Sequence, residues 1–324
     1  MVIEGQQIFL TGGAGFLGTA LARRLAGRNR LFLYDNLYRD ALTASGLRDH
    51  PHVTFCQGDV LDRERLQEAM RGSTMVIHLA AIAGVDEVRK SSIRTLNVNT
   101  LGTYNVLEAA RTLPNLVRLV NFSTSEVYGT MAYKVDELHD AMPGSVGELR
   151  WTYAVSKLVG EHFTHAYADE LGMPTVTIRP FNVYGPGQVG GSAVRAFVLR
   201  AVRNQNLIVR GDGSQIRAWC YVDDLVEGVL LALERPEAVG QTFNIGNPRS
   251  TITIYNLARE VIRLSGATSQ IEFAPLGYVD IDLRIPNIDK ARTLLGYEPR
   301  VELEEGLQRT IAWFREREGL SSSD

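Results

Sequence analysis

The chain has 324 residues, of which 45% are hydrophobic and 22% are charged, and its formal net charge is -3. This composition is ordinary for a globular protein of about two domains and gives no general reason to expect nucleic-acid or membrane partners. Met1–Gly5 does not resemble a signal peptide, and no apolar run reaches the roughly 18–20 residues of a membrane span. The two cysteines, Cys56 and Cys220, lie far apart, which favours a reducing compartment. We therefore expect a cytoplasmic protein.

Short apolar strands alternate with amphipathic helices over the first two thirds of the chain. The predicted strands are 6–11, 30–34, 53–57, 75–79, 116–123 and 175–179, and the predicted helices are 19–26, 96–110 and 153–171. Strands of near-continuous Val, Ile and Leu separated by helices are typical of a parallel sheet that is covered on both faces. Because right-handed crossovers link such strands, the sequence predicts an α/β fold with a Rossmann-type doubly wound sheet.

The alternation stops after Pro180, where a segment rich in glycine and proline follows. The later elements are shorter and less regular, apart from a helix predicted at 223–234. We expect residues 1–179 to form a first domain, to which 217–245 return. Residues 180–216 and 246–324 are expected to form a smaller C-terminal lobe that binds the substrate, with a disordered tail at 321–324.

Three glycines follow the first predicted strand and open a helix, at Gly12, Gly15 and Gly18. Gly12 permits a tight turn, Gly15 lets the backbone approach a pyrophosphate, and Gly18 lets the helix pack closely on the strand. Phe16 and Leu17 lie in the first turn of this helix, whose N–H groups can bind phosphate. The spacing therefore predicts a dinucleotide site, although a simple tight turn would use similar glycines.

Asp35 ends the second predicted strand, directly before Asn36. A carboxylate at this place can accept hydrogen bonds from both ribose hydroxyls and would repel a 2′-phosphate, which favours NAD over NADP. The ends of the third and fourth strands are expected to meet the adenine and to leave room for the cofactor backbone. The residues predicted there are Asp59, Val60, Leu79, Ala80 and Ala81.

Tyr153 and Lys157 lie four residues apart on one face of a predicted helix. A neighbouring ammonium and a cationic nicotinamide both favour the phenolate of a tyrosine, so Tyr153 can act as a base, and Lys157 can also hold the nicotinamide ribose. Thr124, Ser125 and Glu126 follow the fifth strand, at the sheet edge where such folds bind ligands. The hydroxyl of Thr124 can hold the oxygen that Tyr153 deprotonates. These five residues form the predicted catalytic group.

With these segments in this order, the chain resembles the extended short-chain dehydrogenase/reductases that act as nucleotide-sugar epimerases, dehydratases and decarboxylases. The resemblance runs from 11–13 to 295–299 and includes 179–187 and 211–224. It implies NAD as cofactor, a nucleotide-diphosphate sugar as substrate (a UDP-sugar being favoured), a homodimer, and no metal. It also implies that Asn182, Arg217 and Arg284 contact the nucleotide diphosphate. Ala218 departs from the pattern, since many members carry Asp there.

Members of this family share an oxidation at the sugar C4, and the resulting 4-keto sugar can react in three ways. Returning the hydride to the other face gives 4-epimerisation, expelling the C6 hydroxyl gives 4,6-dehydration, and losing a C6 carboxylate gives decarboxylation. Glu126 favours chemistry at C5 and C6. Ser125 replaces the Asp of many deoxysugar dehydratases, and the Thr-Ser-Glu triplet is similar to both GDP-mannose dehydratases and UDP-glucuronate decarboxylases.

Residues 150–157 resemble the Arg-Trp-x-Tyr-x-x-x-Lys helix of decarboxylases that act in lipid A modification and of UDP-apiose synthases. Residues 278–286 are similar to the same subgroup, in which Arg284 can serve the sugar carboxylate or proton transfer rather than the diphosphate. UDP-glucuronate decarboxylation is therefore the first expectation. A 4-epimerase acting on UDP-glucose or UDP-glucuronate, an NDP-hexose 4,6-dehydratase and a non-catalytic NAD-binding scaffold remain as alternatives.

Overall fold

The computed structural model describes residues 3–319, so the tail predicted at 321–324 lies outside the described residues. The strands are β1 (Gln7–Thr11), β2 (Arg30–Asp35), β3 (Val53–Gln57), β4 (Met75–His78), β5 (Arg118–Phe122), β6 (Met131–Val135), β7 (Thr175–Pro180), β8 (Val183–Tyr184), β9 (Leu207–Arg210), β10 (Ile216–Ala218), β11 (Cys220–Tyr221), β12 (Thr242–Ile245), β13 (Thr251–Thr253), β14 (Ile271–Ala274) and β15 (Leu283–Pro286). The helices are α1 (Phe16–Leu25), α2 (Arg63–Met70), α3 (Val85–Lys90), α4 (Ser92–Leu96), α5 (Gly102–Arg111), α6 (Trp151–Leu171), α7 (Ala193–Val202), α8 (Val222–Glu234), α9 (Ile254–Ser265), α10 (Asp289–Leu295) and α11 (Leu303–Arg317).

A parallel sheet of seven strands forms the centre of the fold, in the order β12-β7-β5-β4-β1-β2-β3. Successive side chains of a strand point to opposite faces, so Ile8 and Leu10 of β1 enter one core while Phe9 enters the other. The first core includes α1 and α8, and the second includes α2 and α5. Because both faces are covered, β4 and β5 are buried along their whole length. The predicted Rossmann-type α/β fold is confirmed.

The later part of the chain contributes both to this sheet and to a separate lobe. β12 pairs with β7 at the edge of the large sheet, and α8 packs against α1 and β5. A second sheet has the order β13-β10-β15-β6, so β6 from the first half of the chain pairs with β15 of the lobe. Within residues 3–319, no helix is both long and apolar enough to cross a lipid bilayer.

The helix predicted at 96–110 is wrong in one respect, because a π-helical turn at Asn97–Leu101 separates α4 from α5. Asn99 lies in this turn and is fully buried. Its side chain accepts a hydrogen bond from the main-chain N–H of Ile82 (2.8 Å) and donates to the main-chain oxygen of Ile82 (3.0 Å) and to Oγ of Ser156 (3.0 Å). The turn thus joins the segment after β4 to α6. π-helical turns of this kind often occur at functional sites.

The strand order reverses between β1 and β4, since the chain continues outward from β1 through β2 on one side and from β4 through β5 on the other. At such a reversal, the loops that leave the carboxyl ends of the two strands diverge and open a crevice. The glycine turn after β1, the segment after β4 and the Thr124 segment after β5 all begin at this edge. The fold therefore brings the predicted cofactor and catalytic segments to one place.

Gly18→Ala tests the close packing of α1 on β1. A Cβ atom at Gly18 would lie 2.5 Å from the main-chain oxygen of Gly12, which cannot move without disturbing the turn. We expect the free energy of unfolding to fall by about 1–3 kcal/mol in denaturant titrations, as in other overpacked sites. The matched control is Gly27→Ala, where nothing lies within 4 Å of the new Cβ and little change is expected. Equal losses in both variants would contradict this account.

Candidate active site

The glycine turn between β1 and α1 has the conformation that a dinucleotide cradle requires. Gly12 has a φ of +68°, and a Cβ atom there would lie 2.7 Å from the main-chain nitrogen of Ala80 at the end of β4. Gly15 is the N-cap of α1 in extended conformation. The first turn of α1 carries no acidic residue, so its free N–H groups can face a phosphate without repulsion. These residues fit the dinucleotide that the sequence predicted.

Asp35 is held by main-chain donors on both sides. Its Oδ2 accepts a hydrogen bond from the N–H of Ala14 (3.1 Å), and its Oδ1 accepts one from the N–H of Leu37 (2.7 Å). Burial raises the pKa of Asp35, while these main-chain hydrogen bonds lower it. Asn36 donates to Oδ2 of Asp59 (3.0 Å), which links the end of β2 to the end of β3. The carboxylate of Asp35 is therefore fixed beside the glycine turn.

Tyr153 lies in the first turn of α6, within hydrogen-bonding reach of Thr124. Burial raises the pKa of Tyr153 above its usual value, and the charge of Glu126 raises it further. The hydrogen bond with Thr124 and the charge of Arg284 act in the opposite direction. Thr124 also caps the turn Ser125–Tyr128, because its Oγ1 accepts a hydrogen bond from the N–H of Glu126 (3.1 Å). The phenol of Tyr153 and the hydroxyl of Thr124 therefore lie close together at the cavity.

Lys157 lies one turn further along α6 and is buried. Burial lowers the pKa of Lys157 to about 8, and the charge of Glu161 opposes this shift. Glu161 forms a buried ion pair with Arg179 (Oε2 to Nη2, 2.6 Å). Burial has the largest effect on the pKa of Tyr153 in the protein alone, and a cationic nicotinamide beside the phenol would act in the opposite direction. The leading charges that lower the pKa of Tyr153 belong to Arg284 and Arg39.

Three arginines surround two carboxylates beside this group. Glu126 contacts Arg150 (Oε2 to Nη2, 3.3 Å) and Arg284 (Oε1 to Nη1, 3.9 Å). Asp280 contacts Arg150 (Oδ1 to Nη1, 2.8 Å) and Arg217 (Oδ2 to Nη2, 3.5 Å). All three arginines are buried, and the cluster carries one more positive than negative charge when every member is ionised. Such an excess favours an anionic ligand, because a buried charge without a partner is costly.

Of the three arginines in this cluster, Arg284 is the one that lines the cavity, together with Glu126. It is 3% exposed, and its Nε has no hydrogen-bond partner among the described residues. Burial lowers the pKa of Arg284 to about 9, the charge of Glu126 opposes this shift, and Arg217 and Arg150 add to it. The guanidinium of Arg284 therefore keeps its charge at neutral pH, and its Nε–H remains an unused hydrogen-bond donor.

Asn182 and Arg217 are predicted to hold the diphosphate; Asn182 lies in the bend between β7 and β8, and Arg217 lies in β10. Asn182 has a φ of +40°, which is unusual for a residue other than glycine, and its side chain donates to the main-chain oxygen of Ala218 (2.9 Å). Arg217 is 7% exposed and pairs with Asp280. Asn182 lines the cavity, whereas Arg217 lies behind its wall.

One cavity of about 430 Å³ joins most of the predicted site residues. Its lining includes Gly12, Gly15, Phe16, Leu17, Gly18, Asp35, Asn36, Asp59, Val60, Leu79, Ala80, Ala81, Thr124, Ser125, Glu126, Tyr153, Asn182 and Arg284. Lys157 and Arg217 are buried next to it without lining it. The structure thus places the candidate cofactor and catalytic residues in a single cleft.

The cavity is also lined by residues that no sequence motif indicates, namely Tyr38, Arg39, Gly84, Arg94, Gln188 and Ser192. Gln188 lies in the glycine- and proline-rich stretch after Pro180, and Ser192 lies at the end of this stretch. The sequence places both in the lobe and indicates no role for either. Arg39 follows Asp35 by four residues, and no sequence motif marks it apart from its charge. Arg150 was noted only as part of a helix resemblance, and its contacts depend on tertiary structure.

Comparisons with known proteins agree with this geometry. The sequence model of the NAD dependent epimerase/dehydratase family matches residues 8–246. UDP-N-acetyl-α-D-glucosaminuronate decarboxylase from Bacillus cytotoxicus is 32% identical over 329 residues, covering 97% of this chain and 99% of that protein. UDP-glucuronic acid decarboxylase 1 from Arabidopsis thaliana is 34% identical, covering 96% of this chain and 70% of that protein.

Solved structures share the fold over nearly the whole chain. An epimerase from Methanothermobacter thermautotrophicus has a TM-score of 0.90 and 32% identity, covering 98% of this chain and 94% of that one. UDP-glucuronic acid 4-epimerase from Bacillus cereus, solved with UDP-glucuronic acid and NAD, has a TM-score of 0.87 and 29% identity, covering 96% and 99%. The chain is thus similar to both decarboxylases and epimerases.

Asp35→Ala tests cofactor selection. A carboxylate beside the ribose repels a 2′-phosphate, so we expect the ratio of the Kd for NADP to the Kd for NAD to fall at least about tenfold. The ratio is the readout because losing the hydrogen bonds to Ala14 and Leu37 also weakens binding of either cofactor. The matched control is Asp40→Ala, an exposed carboxylate on the same loop, which should leave the ratio unchanged. An unchanged ratio in Asp35→Ala would refute this role.

Proposed function

Because the chain belongs to the NAD-dependent epimerase/dehydratase family, we propose that this NAD-dependent enzyme decarboxylates a UDP-linked uronic acid. UDP-glucuronate is the first substrate to test. Two relatives that match nearly the whole chain are decarboxylases whose names specify UDP-linked uronic acids. The family supports NAD as cofactor, and the glycine turn and Asp35 are the residues proposed to hold it.

The excess positive charge at Arg284 is the observation that carries the proposal. Arg284 lines the same cavity as Tyr153 and Glu126, is 3% exposed and has an unused Nε donor. A guanidinium fork binds a carboxylate with two parallel hydrogen bonds, and a uronate would neutralise the surplus charge of the cluster. In a neutral sugar nucleotide only the diphosphate could pair with Arg284, whereas a uronate offers a carboxylate on the sugar itself. Because Arg284 lines the cavity together with Tyr153 and Glu126, the residues proposed to act on the sugar, its charge favours an acidic sugar.

In the proposed reaction, Tyr153 accepts the proton of the sugar O4 while Thr124 holds that oxygen by a hydrogen bond. NAD, when bound, supplies the acceptor for the hydride that leaves C4. The sugar is then a β-keto acid, because the ketone at C4 is separated from the C6 carboxylate by C5 alone. The C5–C6 bond breaks, carbon dioxide leaves, and the electron pair passes to O4 as an enolate. Hydrogen bonds from Tyr153 and Thr124 stabilise this enolate.

A proton must then return to C5, and the residues beside the sugar end of the cavity can supply it. Glu126 is one fifth exposed and lies 3.9 Å from Arg284 (Oε1 to Nη1). Either group can pass a proton from solvent to C5, while Lys157 keeps a positive charge behind Tyr153. Ser125, which is buried at the cavity wall, can position the carboxylate of the sugar. These roles extend the predicted catalytic group from proton removal at O4 to proton return at C5.

Incubating the purified protein with UDP-glucuronate and NAD tests this function, followed by mass spectrometry and proton NMR over time. We expect a product lighter by carbon dioxide, either as the UDP-pentose or as its 4-keto form. An unchanged mass with a new anomeric signal would instead identify a 4-epimerase, as similarity to the Bacillus cereus enzyme allows. Inertness towards UDP-glucuronate and its N-acetyl analogue, with dehydration of a neutral sugar nucleotide, would refute the proposal.

Two variants separate the steps in the same assay. Tyr153→Phe should reduce the formation of NADH and of carbon dioxide together, by about 10²–10⁴-fold, because the base for O4 is lost. Glu126→Gln should slow the later steps at C5 and C6 more than the first oxidation, which the lost charge reaches only through the pKa of Tyr153. Tyr133→Phe, on an exposed side chain of β6, is the matched control and should behave as the wild type.

We also propose that the protein is a homodimer. Large apolar side chains are exposed on α4, on the π-helical turn after it and on α6, with Ile93 at 78%, Leu101 at 51%, and Leu96 and Val155 each at 41% exposed. An exposed apolar surface of this kind is typical of a subunit interface.

A cytoplasmic location is proposed as well, because Cys56 and Cys220 are free thiols; cell fractionation would test it.

Sedimentation measures the assembly directly. The wild type should sediment with twice the chain mass of 35.9 kDa. The double variant Ile93→Glu and Leu101→Glu should shift it to the monomer, because charges would be buried without partners in the interface. Leu138→Glu, at a 92% exposed site in another part of the chain, is the control and should leave the mass unchanged. A wild-type monomer at micromolar concentration would refute the dimer.

A further inference from the structure

Arg39 lies between two loops from opposite sides of the cleft. Its Nη2 donates a hydrogen bond to the main-chain oxygen of Ala83 (2.7 Å), in the segment that follows β4. A Cβ atom at Gly84 would lie 3.4 Å from Nη2, and one at Gly190 would lie 2.8 Å from Nη1. Gly190 belongs to the loop that leads into α7 of the lobe. Neither glycine carries a Cβ atom, so the two loops leave room for a guanidinium between them. Both glycines also have positive φ.

Arg39 forms no ion pair within the described part of the chain. No carboxylate oxygen of residues 3–319 lies within 4.0 Å of its guanidinium, and Glu87 interacts with its charge only from a greater distance, whereas Arg284 in the same cavity has Glu126. An arginine has five N–H donors, and the bond to Ala83 uses one of them. Arg39 is half-buried and lines the cavity. It therefore presents a positive charge and free donors to whatever ligand occupies the cleft.

The neighbouring ligand-binding elements are neutral. The glycine turn from Gly12 to Gly18 contains no charged side chain, so it offers main-chain N–H groups alone. On the lobe side, the loop from Gly185 to Ser192 is also uncharged. A diphosphate ester carries two negative charges and gains from a guanidinium fork in addition to main-chain donors. Arg39 and Arg94 both lie over the Tyr38 ring and line the cavity, and of these two cations Arg39 is the one that contacts the Gly190 loop.

We propose that Arg39 binds the diphosphate of a ligand in the cleft and thereby joins the cofactor half of the site to the Gly190 loop. The diphosphate belongs to NAD or to the nucleotide sugar; the second source rests on the proposed function. A Cβ atom at Gly190 would lie 2.8 Å from Nη1 and 2.9 Å from Cζ, so a side chain there would displace the guanidinium. Arg39 is a binding residue in this proposal and takes no part in proton transfer.

Binding of NAD and of a nucleoside diphosphate to Arg39→Gln, measured by calorimetry, tests this proposal. The nucleoside diphosphate is whichever of UDP, GDP and dTDP the wild type binds. We expect the Kd of the diphosphate that Arg39 contacts to rise about tenfold or more, because a charge-assisted hydrogen bond is lost. Arg39→Lys should recover part of the affinity, since it keeps the charge without the fork. Arg48→Gln, an exposed arginine outside the cavity, is the matched control.

Each outcome has a distinct meaning. Weaker binding of NAD alone identifies the cofactor diphosphate, weaker binding of the nucleoside diphosphate alone identifies the sugar nucleotide, and weaker binding of both shows that the two share Arg39. Unchanged Kd values for both ligands would overturn the proposal, as would a large fall in the melting temperature of ligand-free Arg39→Gln accompanied by equal losses in Arg39→Lys. No turnover is measured, so a failed decarboxylation would leave this result intact.

Discussion

Close contact between main-chain segments around the glycine turn determines where the cleft can form. The turn after β1 approaches the end of β4 so nearly that a Cβ atom at Gly12 would lie 2.7 Å from the nitrogen of Ala80. The start of α1 returns onto the same turn, leaving no room for a Cβ atom at Gly18. The N–H of Ala14 then fixes Asp35 at the end of β2. The cofactor end of the site is thus formed mainly by main-chain atoms rather than by charged side chains.

The sugar end of the cavity is organised by charge instead. Arg150 lies at the N-cap of α6 and connects Glu126, after β5, with Asp280, before β15. These contacts tie the helix that carries Tyr153 to the lobe. Since buried ion pairs gain little net stability over apolar packing, their value here lies in fixing the positions of charged groups before the ligand binds. The surplus positive charge at Arg284 then sets a preference for an acid.

The sequence predicted the large sheet well and the lobe poorly, for a physical reason. Strands buried on both faces are runs of apolar residues, so the strand predicted at 53–57 matches β3 and the others differ by a few residues. β6 carries exposed Met131 and Tyr133 on a half-covered sheet, and its pattern gave no comparable signal. The π-helical turn at Asn99 depends on side-chain bonds to Ile82, which apolar periodicity does not report. In the site, local sequence motifs were enough to predict that Tyr153 and Thr124 act together. Arg39 could not be predicted in this way, because its contact with the Gly190 loop exists only in the folded protein.

The pKa of Tyr153 connects the two ends of the site. Spacing along α6 suggested that Lys157 would favour the phenolate, yet burial raises the pKa of the phenol, and the charge of Glu126 raises it further. Arg284 opposes both effects and also faces Glu126 at 3.9 Å. A proton taken up by Glu126 would remove a negative charge near the phenol and leave the influence of Arg284 unopposed. In the proposed reaction, the carboxylate that returns a proton to C5 would therefore also tune the base at O4, so changes at Glu126 should reach both steps through electrostatics alone.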